Sequence, residues 1–294
     1  MKKYFIATLN ILLFFALAVC STPSALAAPG LQQIANVPGS WANDYPDTFM
    51  FIQNVYYYWA DEFADNQGNY IDTNDTRVLM TISRFPKVWH FGDEKQFQCL
   101  LEGILIFKNI SVKRGDPDTA DSVSGLSDPG FYPGVGWNNR SKTTHLTVGC
   151  PIFFPVGDDK LRGIGDDSYR VMPLIAWEQR IGNVWLDSVI AYFHYFDDLK
   201  DDDTHGRDYF ECNVIVSYHI RKWRLFLQGD YKKTEQSQYY GVHQNDDGYN
   251  IALGPGIAWI IKPNIELDLK YDADVDGKNE LQGQGVNIQF LWVF

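Results

Sequence analysis

Polar and apolar residues alternate along this chain over most of its length. From Gly285 to the end, Val286, Ile288, Phe290, Trp292 and Phe294 share one parity, and Asn287 and Gln289 take the other. Successive side chains of an extended strand point to opposite faces, so a period of two predicts a strand with one greasy and one polar face. Upstream, Ile265, Leu267, Leu269 and Tyr271 alternate with Glu266, Asp268, Lys270 and Asp272; likewise Trp223, Leu225, Leu227 and Tyr231 alternate with Arg224, Gln228, Asp230 and Lys232. A row of charges on one strand face is too costly for a dry core. It suits a water-accessible interior, with the greasy face turned to lipid.

Twelve such segments are predicted: 48–60, 75–84, 95–107, 128–138, 143–154, 168–180, 183–196, 207–220, 223–233, 247–260, 264–273 and 281–294. Most approach the ~9 to 11 residues that a tilted strand needs to cross a bilayer. Connector length alternates as well. The stretches 139–142, 180–183, 220–223 and 261–264 are short and basic or neutral, whereas 61–75, 113–128, 155–167, 197–208 and 234–247 are long and acidic. The expectation is an all-β fold, a transmembrane antiparallel up-and-down barrel of about twelve strands over 48–294. Short turns belong on the periplasmic side of such a barrel, so an even strand number puts both termini in the periplasm of a Gram-negative cell. A soluble sandwich of two packed sheets would instead keep its outer faces polar.

The N-terminus changes the picture by supplying an export signal. Lys2 and Lys3 precede an apolar run from Ile11 to Val19, and Ala25-Leu26-Ala27 offers a small-residue cleavage site, so 1–27 reads as a signal peptide. Leu17-Ala18-Val19-Cys20 is a loose lipobox whose Val is bulkier than the usual Gly or Ala. Residues 28–47 alternate little and read as a periplasmic segment or a plug. No later stretch supplies the ~18 consecutive apolar residues of a spanning helix, yet aromatics make up 15% of the chain. Acidic residues number 37 against 25 basic ones, which argues against nucleic acid as a partner. Cys99, Cys150 and Cys212 sit in apolar alternation and read as small packed side chains rather than a disulfide framework.

A terminal strand with Phe290, Trp292 and Phe294 resembles the signature by which the outer-membrane barrel assembly machinery recognises its clients. Residues 125 to 294 resemble the family assigned to a meta-pathway (MetA-pathway) of phenol degradation. The residues carrying this are Gly125-Leu126-Ser127-Asp128-Pro129 with Pro133, then Pro151-Ile152-Phe153-Phe154-Pro155-Val156-Gly157-Asp158. The resemblance implies an outer-membrane channel that passes small, poorly soluble molecules. The faces assigned by alternation put Arg170, Glu178, Arg180, Trp185, Asp187, Arg224, Phe226, Asp230, Glu266, Asp268 and Lys270 on the lumen side. Arg77, Glu102, Met50, Ile52, Tyr56, Ile104, Phe153, Met172 and Leu174 are expected there too. Polar and apolar groups in a bore too narrow for a general porin favour passive uptake of a small hydrophobic or aromatic solute. A narrow general porin and a structural or interaction barrel with acidic outer loops are the other readings.

Catalysis and metal binding are weaker readings. Outer-membrane phospholipase A, a barrel of similar size, places a His and a Ser two apart on an outer strand face; here His145 is followed by Leu146 and Thr147. His194 and Asp197, or His205 and Asp208, form acid and imidazole pairs at one loop mouth. Asp272, Asp274, Asp276 and Gly277 match the first half of a calcium loop, but Gly283 stands where the closing Glu belongs. Asp276-Gly277 also suits a tight hairpin turn. No enzyme and no resident cofactor is expected beyond Ca2+ at the outer loops, where divalent cations would relieve repulsion between acidic loops and lipopolysaccharide. Membrane lipids and lipopolysaccharide are the expected surroundings.

Overall fold

The computed structural model describes residues 47–113, 120–157, 164, 168–196, 204–205, 207–239, 242–243 and 245–294. The signal peptide and nearly all of the 28–47 segment lie outside the described residues. Counting interrupted strands once, the chain forms β1 (Thr48–Ala64), β2 (Tyr70–Phe91), β3 (Phe97–Lys113), β4 (Ala120–Leu126 and Gly130–Asn138), β5 (Thr144–Gly149 and Ile152–Phe153) and β6 (Arg170–Val171 and Leu174–Ile181). They continue as β7 (Val184–Tyr195), β8 (Tyr209–Ile220), β9 (Trp223–Thr234), β10 (Gly248–Lys262), β11 (Ile265–Lys278) and β12 (Glu280–Val293). Each pairs antiparallel with its sequence neighbours, and β1 pairs with β12 from Met50 opposite Val293 to Ala64 opposite Glu280, closing the barrel. Closure leaves no unpaired edge, which a lipid-facing sheet requires.

The outer face is apolar. Val55, Leu79, Leu105, Val148, Ile175, Leu225, Leu227 and Ile288 are all exposed. Rings gather at the end that holds the termini, where Trp223 stacks on Trp259 at 5.6 Å and Trp292 lies 4.3 Å from Phe294. Trp and Tyr side chains favour the headgroup level because they are apolar in body and polar at the tip. The chain is held shut at its ends too: the Thr48 hydroxyl donates to the Phe294 carbonyl at 2.7 Å, and the Phe294 N–H donates to the Phe49 carbonyl at 2.9 Å.

Three sequence expectations are corrected. The connector 61–75 is not a long loop: β1 runs to Ala64 and β2 begins at Tyr70, so strands of 17 and 22 residues project well beyond what a bilayer requires. Part of 113–128 is strand, since Ala120–Leu126 pairs with the outer part of β3. Asp276-Gly277 is not the hairpin turn either; β11 continues to Lys278, and Asn279 turns the chain at a φ of 47°. Asn accepts the left-handed region better than most residues.

Pro129, Pro151 and Pro173 interrupt the three adjacent strands β4, β5 and β6. Each lacks an N–H for the ladder. Their carbonyls still pair, accepting from Phe154, Met172 and Tyr192 at 3.0, 2.8 and 3.0 Å. Residues 127–129 oppose only 105–106, a one-residue bulge of the kind that bends a strand.

At the β1–β2 turn, the Asp65 carboxylate accepts from the backbone N–H of Gln67 at 2.8 Å and of Asn69 at 2.9 Å. These bonds, that from Asn69 first, hold its acidity below the ordinary carboxylate range. A depressed acid contributes order above its unfolded value of ~4 and loses it as pH falls through its folded value. Slow hydrogen exchange at the Gln67 and Asn69 amides is therefore expected from neutrality down to about pH 4 and lost below it. In Asp65→Ala the fast rate should be present at every pH.

Candidate functional site: the barrel lumen

The inward positions of the twelve strands form two walls, the first mainly apolar but also holding the Arg84–Glu102 and Arg170–Asp128 pairs. On β1 to β7, Tyr56, Met80, Ile82, Ile104, Met172, Leu174, Val189 and Phe193 form one continuous buried apolar cluster, with Tyr209 of β8 at its margin. Phe193 stacks on Tyr209 at 4.2 Å. The opposite wall, from β8 to β12, is charged. There Arg224 pairs with Glu266, and Asp230 accepts from Asn213 and, at 2.7 Å, from Gln228. Gln289 donates to Asp268 at 3.3 Å, Thr234 donates to Glu280 at 3.0 Å, and the Lys232 ammonium stands 4.7 Å from the Tyr209 ring. Lys270 is buried within this wall. Ionised groups survive such burial only when paired and hydrogen-bonded, and this wall is built of such pairs.

Several inner rings lie flat because glycine stands beneath them. A methyl group on Gly256 would meet the Phe226 ring at 2.0 Å, and one on Gly285 would meet the Tyr56 hydroxyl at 2.2 Å. Tyr56 thus crosses β12 to donate to Asp272 on β11 at 2.7 Å, and Tyr58 reaches Asp274 in the same way at 2.7 Å. Aromatic rings over strand glycines cover exposed backbone.

Of the positions expected in the lumen from Arg170 to Lys270, all are buried except Arg180 and Trp185, which are half-buried. Arg170, at the end opposite the termini, donates to Asp128 at 3.1 Å and stands 5.1 Å from the Phe153 ring and 5.5 Å from the Tyr195 ring. Asp128 is fully buried and also accepts from the Gly157 N–H at 2.9 Å. The two glycine and proline strings singled out in the sequence are therefore tied to each other through one carboxylate. Nothing in the alternation pointed to Asp128; its place beside a proline that breaks a strand was the available signal. Ile164, in the connector after β5, is also fully buried. At the terminus end, Glu178 holds Arg180 at 2.6 Å, and the Trp185 ring lies 4.0 Å from the Arg180 guanidinium and 5.2 Å from that of Arg224. Asp187 is buried beside them on β7.

Arg77 is a correction. It is exposed on the outer side, paired with Asp75 at 2.7 Å. Val78, Met80 and Ile82 face inward instead. The apolar lumen wall makes both faces of β2 greasy here, so alternation could not choose between them.

The candidate chemistry is dispersed. His145 is buried in the lumen wall, its Nδ1 2.6 Å from the Asn138 side-chain oxygen and its Nε2 3.1 Å from the Lys142 carbonyl. Thr147 is buried inward as well, whereas the phospholipase arrangement requires the outer face. His194 meets Asp208, at 2.7 Å, and Asp197 lies outside the described residues. Asp272, Asp274 and Asp276 do not converge. They accept from Tyr56, Tyr58 and Tyr249 along an extended strand, and among the described residues no acidic, histidine or cysteine cluster fit for a metal ion forms.

Fold and lining together define a closed twelve-stranded transmembrane β-barrel with an amphipathic interior. The chain belongs to the family described as "putative MetA-pathway of phenol degradation", whose profile matches residues 60–290. Its fold is similar to that of an outer membrane channel from Pseudomonas putida F1, with a TM-score of 0.78 at 17% identity over 88% of this chain and 100% of that one. The β domain of the Bordetella autotransporter BrkA shares the barrel at a TM-score of 0.53 and 9% identity, over 84% of this chain and 100% of that one. The CymD monoaromatic hydrocarbon channel does so at 0.51 and 8%, over 92% and 94%. No curated protein matches the chain.

Proposed function

We propose that the protein is an outer-membrane channel, with both termini in the periplasm, that conducts small hydrophobic or aromatic solutes passively. The observation that carries this is the divided lining: a continuous apolar cluster from β1 to β8 faces a hydrogen-bonded charged wall from β8 to β12. A small ring can slide along the apolar side while a hydroxyl exchanges hydrogen bonds with the charged side. Bulk sugar flow needs the wide aqueous bore of about 16 to 18 strands. The phenol-degradation family, and a structural neighbour described as a monoaromatic hydrocarbon channel, agree with that solute class. His145, the histidine weighed for a phospholipase-like site, is held within the wall by Asn138 and Lys142. Strand β12, with Phe294 directly after it, is the segment we assign to the barrel assembly machinery, and the acidic loops face lipopolysaccharide with divalent cations between them.

The test is entry of radiolabelled toluene into proteoliposomes holding the refolded protein, beside single-channel conductance on the same preparation. Entry well above that of protein-free vesicles with little ion current is the expected result. A rate equal to protein-free vesicles, or a large steady current with free sugar passage, would overturn it.

A further inference from the structure

Between the turns that join β4 to β5, β6 to β7 and β8 to β9, a cavity of about 680 Å³ opens at the terminus end of the barrel, lined by Thr143, Arg180, Asn183, Trp185, His219 and Arg221 with their neighbours. This volume falls within the ~300 to 1,000 Å³ of small-molecule sites. Its inner side is an aromatic and guanidinium stack: Arg180 lies against the Trp185 ring, and His219 meets that ring edge-on at 5.0 Å and 82°. Glu178 fixes the Arg180 edge. On the outer side stands Arg221, exposed on its two-residue turn at a φ of 56° and engaged in no ion pair among the described residues. The His219 backbone N–H donates to the Asn183 carbonyl at 2.8 Å, but its imidazole Nε2 is buried without a hydrogen-bond partner. An orphaned buried polar atom is destabilising, and a ligand oxygen in the cavity would offer it a hydrogen-bond partner.

The turns around the cavity bring Arg140, Lys142, Arg221 and Lys222 and no acid of their own, Arg140 being paired with Glu94 of the neighbouring β2–β3 turn at 3.5 Å, whereas the loops at the other end are acidic. A planar cation stacked on an indole, a second cation with no partner and an imidazole in want of one suit an anion carried on a flat ring. Guanidinium binds carboxylate through two parallel hydrogen bonds, and a stacked guanidinium attracts a further ring face.

We propose that this cavity is a binding site for a monoaromatic carboxylate, with the ring beside Trp185 and Arg180 and the carboxylate on Arg221, within reach of His219 and Asn183. Its place at the exit of the solute path rests on the channel reading; its ligand class rests on the cavity alone. Calorimetric titration of the refolded full mature chain in detergent with benzoate should show saturable binding. Cyclohexanecarboxylate, which keeps the charge and loses the flat ring, should bind about threefold or more weakly, and inorganic phosphate should not saturate. Arg221→Asn, which tolerates the turn's positive φ, should weaken benzoate about tenfold or more, while Arg221→Lys, which keeps the charge, recovers part of that loss. The heat-modifiable gel shift of the folded barrel reports that each variant is folded. Absence of saturable benzoate binding, equal binding of cyclohexanecarboxylate or phosphate, or indifference to Arg221→Asn in a folded barrel would overturn the site. Toluene entry measured on the same preparation separates the two readings: entry without benzoate binding ends the site and leaves the channel, and benzoate binding without entry does the reverse.

Discussion

Gly254→Ala is expected to cost the barrel about 3 kcal/mol or more and to leave a large share of the protein unable to close. A methyl group at this position would lie 1.7 Å from the Tyr271 carbonyl oxygen and 2.7 Å from the Asp272 Cα. Both are backbone atoms of β11, so no side chain can rotate away. The ladder explains the closeness. β10 pairs with β11 at Leu253 opposite Ala273 and again at Gly256 opposite Lys270, and between them Gly254 and Pro255 have no partner on β11. Pro255 supplies no N–H, so β10 presses onto β11 there without the usual spacing bonds. The measurement is the urea midpoint of the refolded barrel in detergent, with the heat-modifiable gel shift as the count of folded protein. Gly103→Ala is the control, because a methyl group there meets nothing within 4 Å and should move the midpoint little. Equal behaviour of the two variants would show that β10 and β11 can separate at no cost.

The second large effect is expected at Glu102. Arg84 and Glu102 form a two-pronged pair inside the lumen wall between β2 and β3, Arg84 with 7% of its surface exposed and Glu102 with 1%. Glu102→Ala removes the carboxylate that pairs with the buried Arg84 guanidinium beside the apolar cluster of Ile82, Ile104 and Tyr132, and removing one partner of a buried pair costs about 3 to 5 kcal/mol. The double variant Arg84→Met with Glu102→Leu removes both charges and should regain most of the loss, because an apolar pair of similar volume suits the surrounding cluster. Equilibrium unfolding of wild type, both single variants and the double variant gives the coupling directly. A Glu102→Ala variant as stable as wild type would mean that water reaches Arg84 in the lumen and solvates it.

Much of this architecture was legible because a membrane barrel writes its two environments on alternate residues. Where the lumen face is charged, as on β9 and β11, the parity of Arg224, Asp230, Glu266, Asp268 and Lys270 left no choice of face. Around Val78, Met80 and Ile82 both faces of β2 are apolar, so parity gives no choice of face for Arg77. Strand ends were less legible than strand centres. Asp276-Gly277 has the chemistry of a tight turn, yet pairing of Tyr249 and Asn250 with Lys278 and Gly277 keeps the chain extended, and Asn279 takes the positive φ instead.

The number and order of the strands and the faces of the charged ones are thus written in the sequence, since period-two patterning and connector length are local properties of the chain. Which inward groups meet depends on the folded sheet. Asp128 with Arg170, Tyr56 with Asp272 across a glycine of β12, and the Trp185, His219 and Arg221 cavity each join residues from different strands. Their distances depend on the register and curvature of the closed sheet, which bulges and proline breaks set and which no single strand encodes.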